Sequence, residues 1–187
     1  MRKNFGPKTW MYPMPVLIIG TYDKDNNPNA MNAAWGGTYD YNQIIISLSS
    51  HKTTDNIRLN KEFTVSFATR KTVAASDYVG LVSFNKEPHK IMKAGLTPLK
   101  AENVNAPLFK EYPLTLECRL VQIINEGEGG GCVIADIVNV SADEEILNGD
   151  KIDVKKLEPI CFEGQHHKYH VMGEEIADAF KIGSILK

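Results

Sequence analysis

Cysteine is scarce and irregularly placed. Cys118, Cys132 and Cys161 are the only three in 187 residues. An odd count at spacings that match no zinc pattern argues against a disulfide framework or a structural metal, and reads as three reduced, mostly buried thiols in a reducing compartment. Long apolar runs are missing as well. A stretch such as Val16–Ile19, between Pro15 and Gly20, falls far below the ~18 residues of a membrane span. No basic segment followed by an apolar one opens the chain, so a cytoplasmic protein is expected, a signal already removed being the alternative. Neither sign of charge dominates. With 21 basic and 23 acidic side chains, net −2, there is no electrostatic footprint for nucleic acid or for an anionic membrane.

The common side-chain engines are also absent. There is no GxxxxGK[ST] phosphate loop and no GxSxG elbow. Glycines 127, 129, 130 and 131 imitate a dinucleotide fingerprint. Cys132 stands where a spaced glycine is needed, and Val133-Ile134-Ala135 continues as a strand. Glu126 to Gly131 therefore reads as a hairpin turn. His166, His167 and His170 lie close in sequence without an evident third ligand type or acidic support, and read as polar loop histidines, with no metal expected. The carboxylates are scattered. A chain without its own engine is suited to a bound cofactor that carries the chemistry.

What is present is a globular composition. Hydrophobic residues make up 43% and charged residues 24%, which excludes a disordered chain, a collagen or a coiled coil. No internal repeat or low-complexity tract divides the chain, so one domain over 1–187 is expected, with Lys100 to Pro113 as a loop between its halves. The patterning is mainly β. Val16–Ile19 suits a strand buried on both faces. The turn-forming run Asp23 to Asn29 leads into Ala30–Trp35, making a hairpin with a polar tip. Ile44–Leu48, Phe63–Phe67 and Val133–Val140 read as further strands. Leu114, Leu116, Cys118 and Leu120 alternate with polar residues, and the phase then slips at Val121, which predicts a bulge. Helices are few. One is predicted after a Thr53/Thr54 cap through Leu59, one from Val73 to about Ser83 after a Thr72 cap, and a weaker one over Glu87–Lys93. Dominant strands with short helices at the joints predict a closed or partly closed barrel.

Two segments carry candidate chemistry. Ser47-Leu48-Ser49-Ser50-His51-Lys52-Thr53-Thr54 takes a strand into hydroxyls, a histidine and a lysine just before a helix start. Free N–H groups at that start favour an anion such as a terminal phosphate. An ordinary cap with a solvated lysine is the alternative. Asn32-Ala33-Ala34-Trp35-Gly36-Gly37 offers small residues that let a flat ligand approach the backbone, with Trp35 as a cover. A tryptophan filling the core is the alternative there.

The order of these segments resembles a known family. Pro13-x-Pro15-Val16 leads into a strand, followed by a polar turn, Asn-Ala-Ala-Trp, Ser-Leu-Ser, His-x-Thr, Asn56-Ile57 and Phe63-x-Val65. His89 to Thr97, Ala106-Pro107-Leu108, Leu116-Glu117-Cys118 and Tyr169 ahead of Gly173 continue the match over about residues 10 to 183. The chain is similar to the flavin reductase-like proteins with an FMN-binding split barrel, and within them to the flavoredoxin-type branch. The resemblance implies an antiparallel six-stranded barrel of Greek-key type, a homodimer, and FMN near the dimer interface. It implies that Asn32, Ala33, Ala34 and Trp35 line the isoalloxazine ring. Ser47, Leu48 and Ser49 would then meet the ring edge and ribityl chain, and His51, Lys52 and Thr53 the phosphate. Asn56 would support that turn, and Lys90 and Tyr169 would reach the ring or a second subunit. The chain departs from the family pattern at Asn32, Ala34 and His51. The function so implied is an FMN-dependent oxidoreductase, passing electrons from NAD(P)H or a redox partner to a flavin or protein acceptor. A non-catalytic flavin- or haem-binding module on the same barrel is the second reading.

Overall fold

Strands are the commonest regular structure in this chain. The structure, a computed structural model, describes every residue except Glu126, Glu128, Gly129 and Lys187. The first half runs β1 (Met14–Pro15), β2 (Leu17–Tyr22), β3 (Pro28–Ala33), β4 (Gly36–Asp40), β5 (Gln43–Leu48), α1 (Lys52–Asn60), β6 (Glu62–Phe67) and α2 (Val73–Leu81). Then come α3 (Lys90–Lys93), β7 (Pro98–Lys100), β8 (Pro107–Phe109), β9 (Leu114–Ile124) and β10 (Gly131–Ala142). The chain finishes with β11 (Leu147–Asn148), β12 (Lys151–Ile152), α4 (Val154–Leu157), β13 (Ile160–Glu163) and β14 (Lys168–Val171).

Seven antiparallel strands form the main sheet in the order β3-β2-β6-β9-β10-β5-β4. Its two edge strands, β3 and β4, are joined by Ala34 and Trp35 alone. So short a connection spans roughly 10 Å at most, so the sheet must curl until its edges meet at this corner. The Ser47 N–H, donating to the Trp35 carbonyl at 2.8 Å, fixes the seam. Leu17, Ile19, Met31, Ile46, Leu48, Phe63, Val65, Cys118 and Val133 come from six strands and fill one interior cluster with Ile57 of α1. This is the mainly β split barrel that the sequence predicts. It has seven strands where six were expected. The extra one, β4, is an exposed edge with no apolar alternation, and so has no pattern to find.

The outer face of β2 is buried too, as its unbroken apolar run predicts. Val16 and Ile18 pack with Val79 of α2, Ile91 of α3, Leu96 and Phe109. The slip in β9 is a bulge at Val121, because Ile134 pairs with Gln122 while Ala135 pairs with Leu120. β9 and β10 pair along their length, as the predicted hairpin requires. Three residues of its tip, Glu126, Glu128 and Gly129, lie outside the described residues.

Three expectations need correction. Lys100–Pro113 is no plain loop. β8 within it pairs with β7, and the Asn103 N–H and side-chain amide hold the buried Glu117 carboxylate. Burial acts to raise that carboxyl's pKa, but amides of Asn139 and Asn103 outweigh it and bring it below its ordinary value. At α1 the cap is His51, not Thr53 or Thr54, which lie inside the first turn. At α2 Thr72 does hold the cap position ahead of Val73, but its side chain makes no capping bond: its hydroxyl accepts from the Thr69 N–H at 2.9 Å to close a short 3₁₀ turn, and the helix ends at Leu81 instead of near Ser83. Among the described residues no helix is long and apolar enough to cross a membrane, and no group of three His, Cys, Asp or Glu could hold a metal.

Candidate functional site

β5 delivers its residues alternately to the two sides of the wall. Ile44, Ile46 and Leu48 point into the core, while Ile45 and Ser47 face outward. The strand then gives way to exposed Ser49, Ser50 and His51, and α1 begins. Buried polar contacts pin α1 from beneath. Thr54 Oγ1 donates to the Ser49 carbonyl at 2.8 Å. Thr53 Oγ1 accepts from Asn29 Nδ2 at 2.8 Å, and Asn56 Nδ2 donates to Thr21 Oγ1 at 3.0 Å. These three side chains anchor the helix to β2, β3 and the turn before it, and face away from solvent.

The start of α1 is left open. His51 is extended, at φ −142° and ψ 159°, and its side chain makes no capping bond. The first helical bond is Asp55 N–H to the His51 carbonyl at 3.1 Å. The N–H groups of the first turn therefore point out of the helix toward the ring of Ser49, Ser50, His51 and half-buried Lys52. Partial positive charge from the helix and the Lys52 ammonium favour an anion here. Gly130 closes the cradle from the β10 side. A Cβ there would lie 2.7 Å from the Leu48 carbonyl oxygen and 3.1 Å from Ser49 Cα. Arg58 donates to the Gly130 carbonyl at 3.2 Å.

An apolar groove of about 660 Å³ opens beside this cradle. One wall is the seam and its neighbours: Ala34, Trp35, Gly36, Gly37, Ile45, Ser47 and Cys132. The other is the N-terminal strap from Lys8 to Pro15, which brings Trp10, Met11 and Met14. Trp35 is 56% exposed, so it lines the groove and is not a core residue. Gly36 is small because Leu17 Cδ1 would lie 2.8 Å from a Cβ there. The lining contains no carboxylate or imidazole, and Lys8 is its single charge among the described residues. Such a slot can hold a flat ring and keep water off it, but it supplies no acid or base.

The structure divides the sequence-predicted residues into groups. The Leu48 and Ala33 side chains belong to the barrel core, whereas Ala34, Trp35 and Ser47 line the groove and Ser49, His51 and Lys52 stand at the cradle. Thr53 and Asn56 lie beneath it as braces. Asn32, Lys90 and Tyr169 converge instead on α2. Asn32 Nδ2 donates to the Ser76 carbonyl at 3.0 Å, and a Cβ on Gly80 would come within 2.8 Å of Asn32 Cβ. The Tyr169 hydroxyl donates to Asp77 Oδ1 at 2.7 Å, and burial together with that carboxylate pushes its pKa up to about 12. Lys90 is 3% exposed, and its Nζ donates to the Val79 and Val82 carbonyls at 2.8 and 2.7 Å, capping the end of α2. Burial lowers its pKa to about 8. Asn32 thus ties α2 to β3, Lys90 ties it to α3, and Tyr169 ties it to β14.

The histidines occupy the β13–β14 hairpin. His166 Nδ1 lies 2.8 Å from Glu163 Oε2, and His167 stacks on Phe162. Sequence reasoning missed the strap, Cys132 and the close approach of Gly130. The signals were the aromatic Trp10 ahead of Pro13 and Pro15, and the pairing of Cys132 with Ser47 that a β5–β10 register would have given.

Residues 10–158 match the family described as flavin reductase like domain. The fold is similar to that of flavoredoxin of Desulfovibrio vulgaris (Miyazaki F), at 35% identity and TM-score 0.91 over 98% of this chain and 100% of that one. It is similar to flavoredoxin from Methanosarcina acetivorans, at 28% identity and TM-score 0.90 over the whole of both chains. Nitrilotriacetate monooxygenase component B from Bacillus cereus follows at 25% identity and TM-score 0.79, over 89% and 88% of the two chains.

Proposed function

Because the chain belongs to the flavin reductase-like family, on its flavoredoxin branch, we propose that it is an FMN-dependent oxidoreductase built as one domain over 1–187. The observation that carries the reading is the open start of α1, framed by Ser49, His51 and Lys52, beside an apolar groove walled by Trp35 and Trp10. The donor set fits a ribityl phosphate, and the groove fits a flat ring. The N–H groups of the α1 first turn and Lys52 would hold the phosphate. Ala34 and Trp35 would take one side of the ring, and Ser47 its polar edge. When bound, FMN supplies transfer of two electrons between a donor and an acceptor. The chain's own residues then bind, orient and desolvate. The seam backbone would orient the ring, the apolar strap would exclude water, and Lys52 would balance the phosphate charge. The lack of an acid or base in the lining is consistent with this division of labour. The electron source is NAD(P)H or a redox protein, and the sink a flavin or protein acceptor.

Flavin fluorescence during titration with FMN tests the binding. Quenching is expected, with Lys52→Ala weakening binding about tenfold or more, since a charged hydrogen bond contributes roughly 1.5–3 kcal/mol. Absence of quenching would reject the reading. Anaerobic NADH and NADPH are then added to the loaded protein. Bleaching by either identifies a nicotinamide-fed reductase. Reduction by dithionite alone identifies a carrier fed by a protein.

A further inference from the structure

The strap that walls the groove touches the rest of the protein at few points. Every residue from 1 to 13 is exposed, and none joins a hydrophobic cluster. Met14, 6% exposed, is the first buried side chain. β1 is anchored there, with Met14 paired to Phe162 and Pro15 to Cys161. Ahead of that anchor the strap mostly contacts itself. The Met11 N–H donates to the Thr9 carbonyl at 3.0 Å, the Phe5 and Trp10 rings meet edge to face with centroids 5.1 Å apart, and Lys3 Nζ lies 5.2 Å from the centre of the Phe5 ring. Among the described residues, one side-chain hydrogen bond ties this stretch to the body: the Tyr12 hydroxyl donates to Glu163 Oε1 at 3.0 Å. The acceptor is itself held in place by the N–H groups of Gln165 and His166.

Two things follow from this placement. First, a segment with few buried contacts opens at low cost in free energy, so a single bond near its root has a large share in holding it down. Second, the groove rewards closure. Trp10 and Met11 on the strap are still 37% and 74% exposed, and Trp35 on the facing wall is 56% exposed. Both walls thus keep apolar surface in contact with water. A flat apolar occupant between them would remove more of that surface from water when the strap lies down than when it is lifted. That difference in affinity between two arrangements is what lets a ligand close a segment over itself.

We infer that residues 1–12 are a lid on the groove, hinged at β1 and latched by the Tyr12 hydroxyl on Glu163. The lid gates whatever enters the groove. Its control over how long FMN stays bound is a corollary, and that corollary alone rests on the flavin reading. Cys132 is the reporter, because it lines the groove with the strap across from it. Flavin-free protein is labelled with a bulky maleimide dye and, separately, with a small methanethiosulfonate, and Cys132 is followed by peptide mass spectrometry. Tyr12→Phe should speed the bulky reaction roughly five- to tenfold, as loss of one hydrogen bond to a carboxylate implies for the open population. The small reagent should react at nearly the wild-type rate. Glu163→Ala should act in the same direction, and the two substitutions together should add little to either alone, since they remove one and the same bond. Circular dichroism checks that each variant is folded. An unchanged bulky rate in folded Tyr12→Phe, or fully additive effects in the double variant, would overturn the lid. With FMN loaded, Tyr12→Phe should speed flavin release by the same factor. Should the thiol result hold while FMN fails to bind, the lid stands and the flavin reading falls.

Discussion

Glu163 receives donors from several directions at the β13–β14 turn: the Tyr12 hydroxyl at 3.0 Å, the N–H groups of Gln165 and His166, and the His166 ring. Burial acts to raise its pKa, but the bonds from His166 and Tyr12 and the two backbone donors outweigh it and bring the carboxyl to about 2. A carboxyl depressed in the folded state stabilises the fold above its unfolded value, near 4.5, and that contribution fades as pH falls toward 2. Circular dichroism of acid-titrated protein should therefore show the native signal weakening across that window. Glu163→Gln should flatten the dependence, and a variant with the wild-type acid profile would rule the account out. Because Tyr12 belongs to the strap, the same bond ties the groove wall to the hairpin. The thiols make a second test. Burial pushes the Cys118 thiol well above its ordinary pKa, while Cys132 is half-buried in the groove. An alkylating reagent should modify Cys132 and spare Cys118 in the native protein, and FMN should slow the reaction at Cys132. At this scale the sequence was readable for the groove residues, because small residues and hydroxyls announce close approach and donors. It was not readable for Lys90 and Tyr169, whose partners are α2 carbonyls and Asp77, 92 positions from Tyr169.

β2 is the element on which the others are registered, with β3 on one side and β6 on the other. Both of its faces are buried, and Gly20 lies where β8 crosses. A Cβ at Gly20 would sit 2.3 Å from the Pro107 carbonyl oxygen and 2.4 Å from Thr64 Oγ1, which itself bonds Pro107. Backbone cannot move aside cheaply, so Gly20→Ala should cost about 1–3 kcal/mol or more. A urea midpoint equal to wild type would refute this. The strands whose residues alternate or run apolar were legible, including β2, β5, β6 and the bulged β9. β4, β7 and β8 were not, since the first exposes its side chains and the others are three-residue pieces with proline at their start. The cap of α1 was misplaced for a physical reason. Threonine is a good cap in general, but here Thr53 and Thr54 are 2% and 0% exposed and bond downward to the barrel.

Across the whole molecule, the interior cluster draws side chains from six of the seven strands of the sheet, so neither half can open without exposing the other. Unfolding in urea should accordingly be a single event, with tryptophan fluorescence and far-ultraviolet circular dichroism tracing one curve. Separate curves would show two units. The barrel class and the order of its segments could be read in the chain, because burial patterns are local. The strap and the way the edges meet could not, because each depends on neighbours remote in sequence. The seam has one more consequence. β3 and β4 are the two unpaired ends of the sheet, and the link Ala34–Trp35 holds those ends together at one corner. A single cut between them would let the two ends swing apart and make their unpaired backbone groups more accessible. Such edges recruit one another across molecules. The corner that shapes the groove thus also restrains the sheet's ends from fibrous polymerisation.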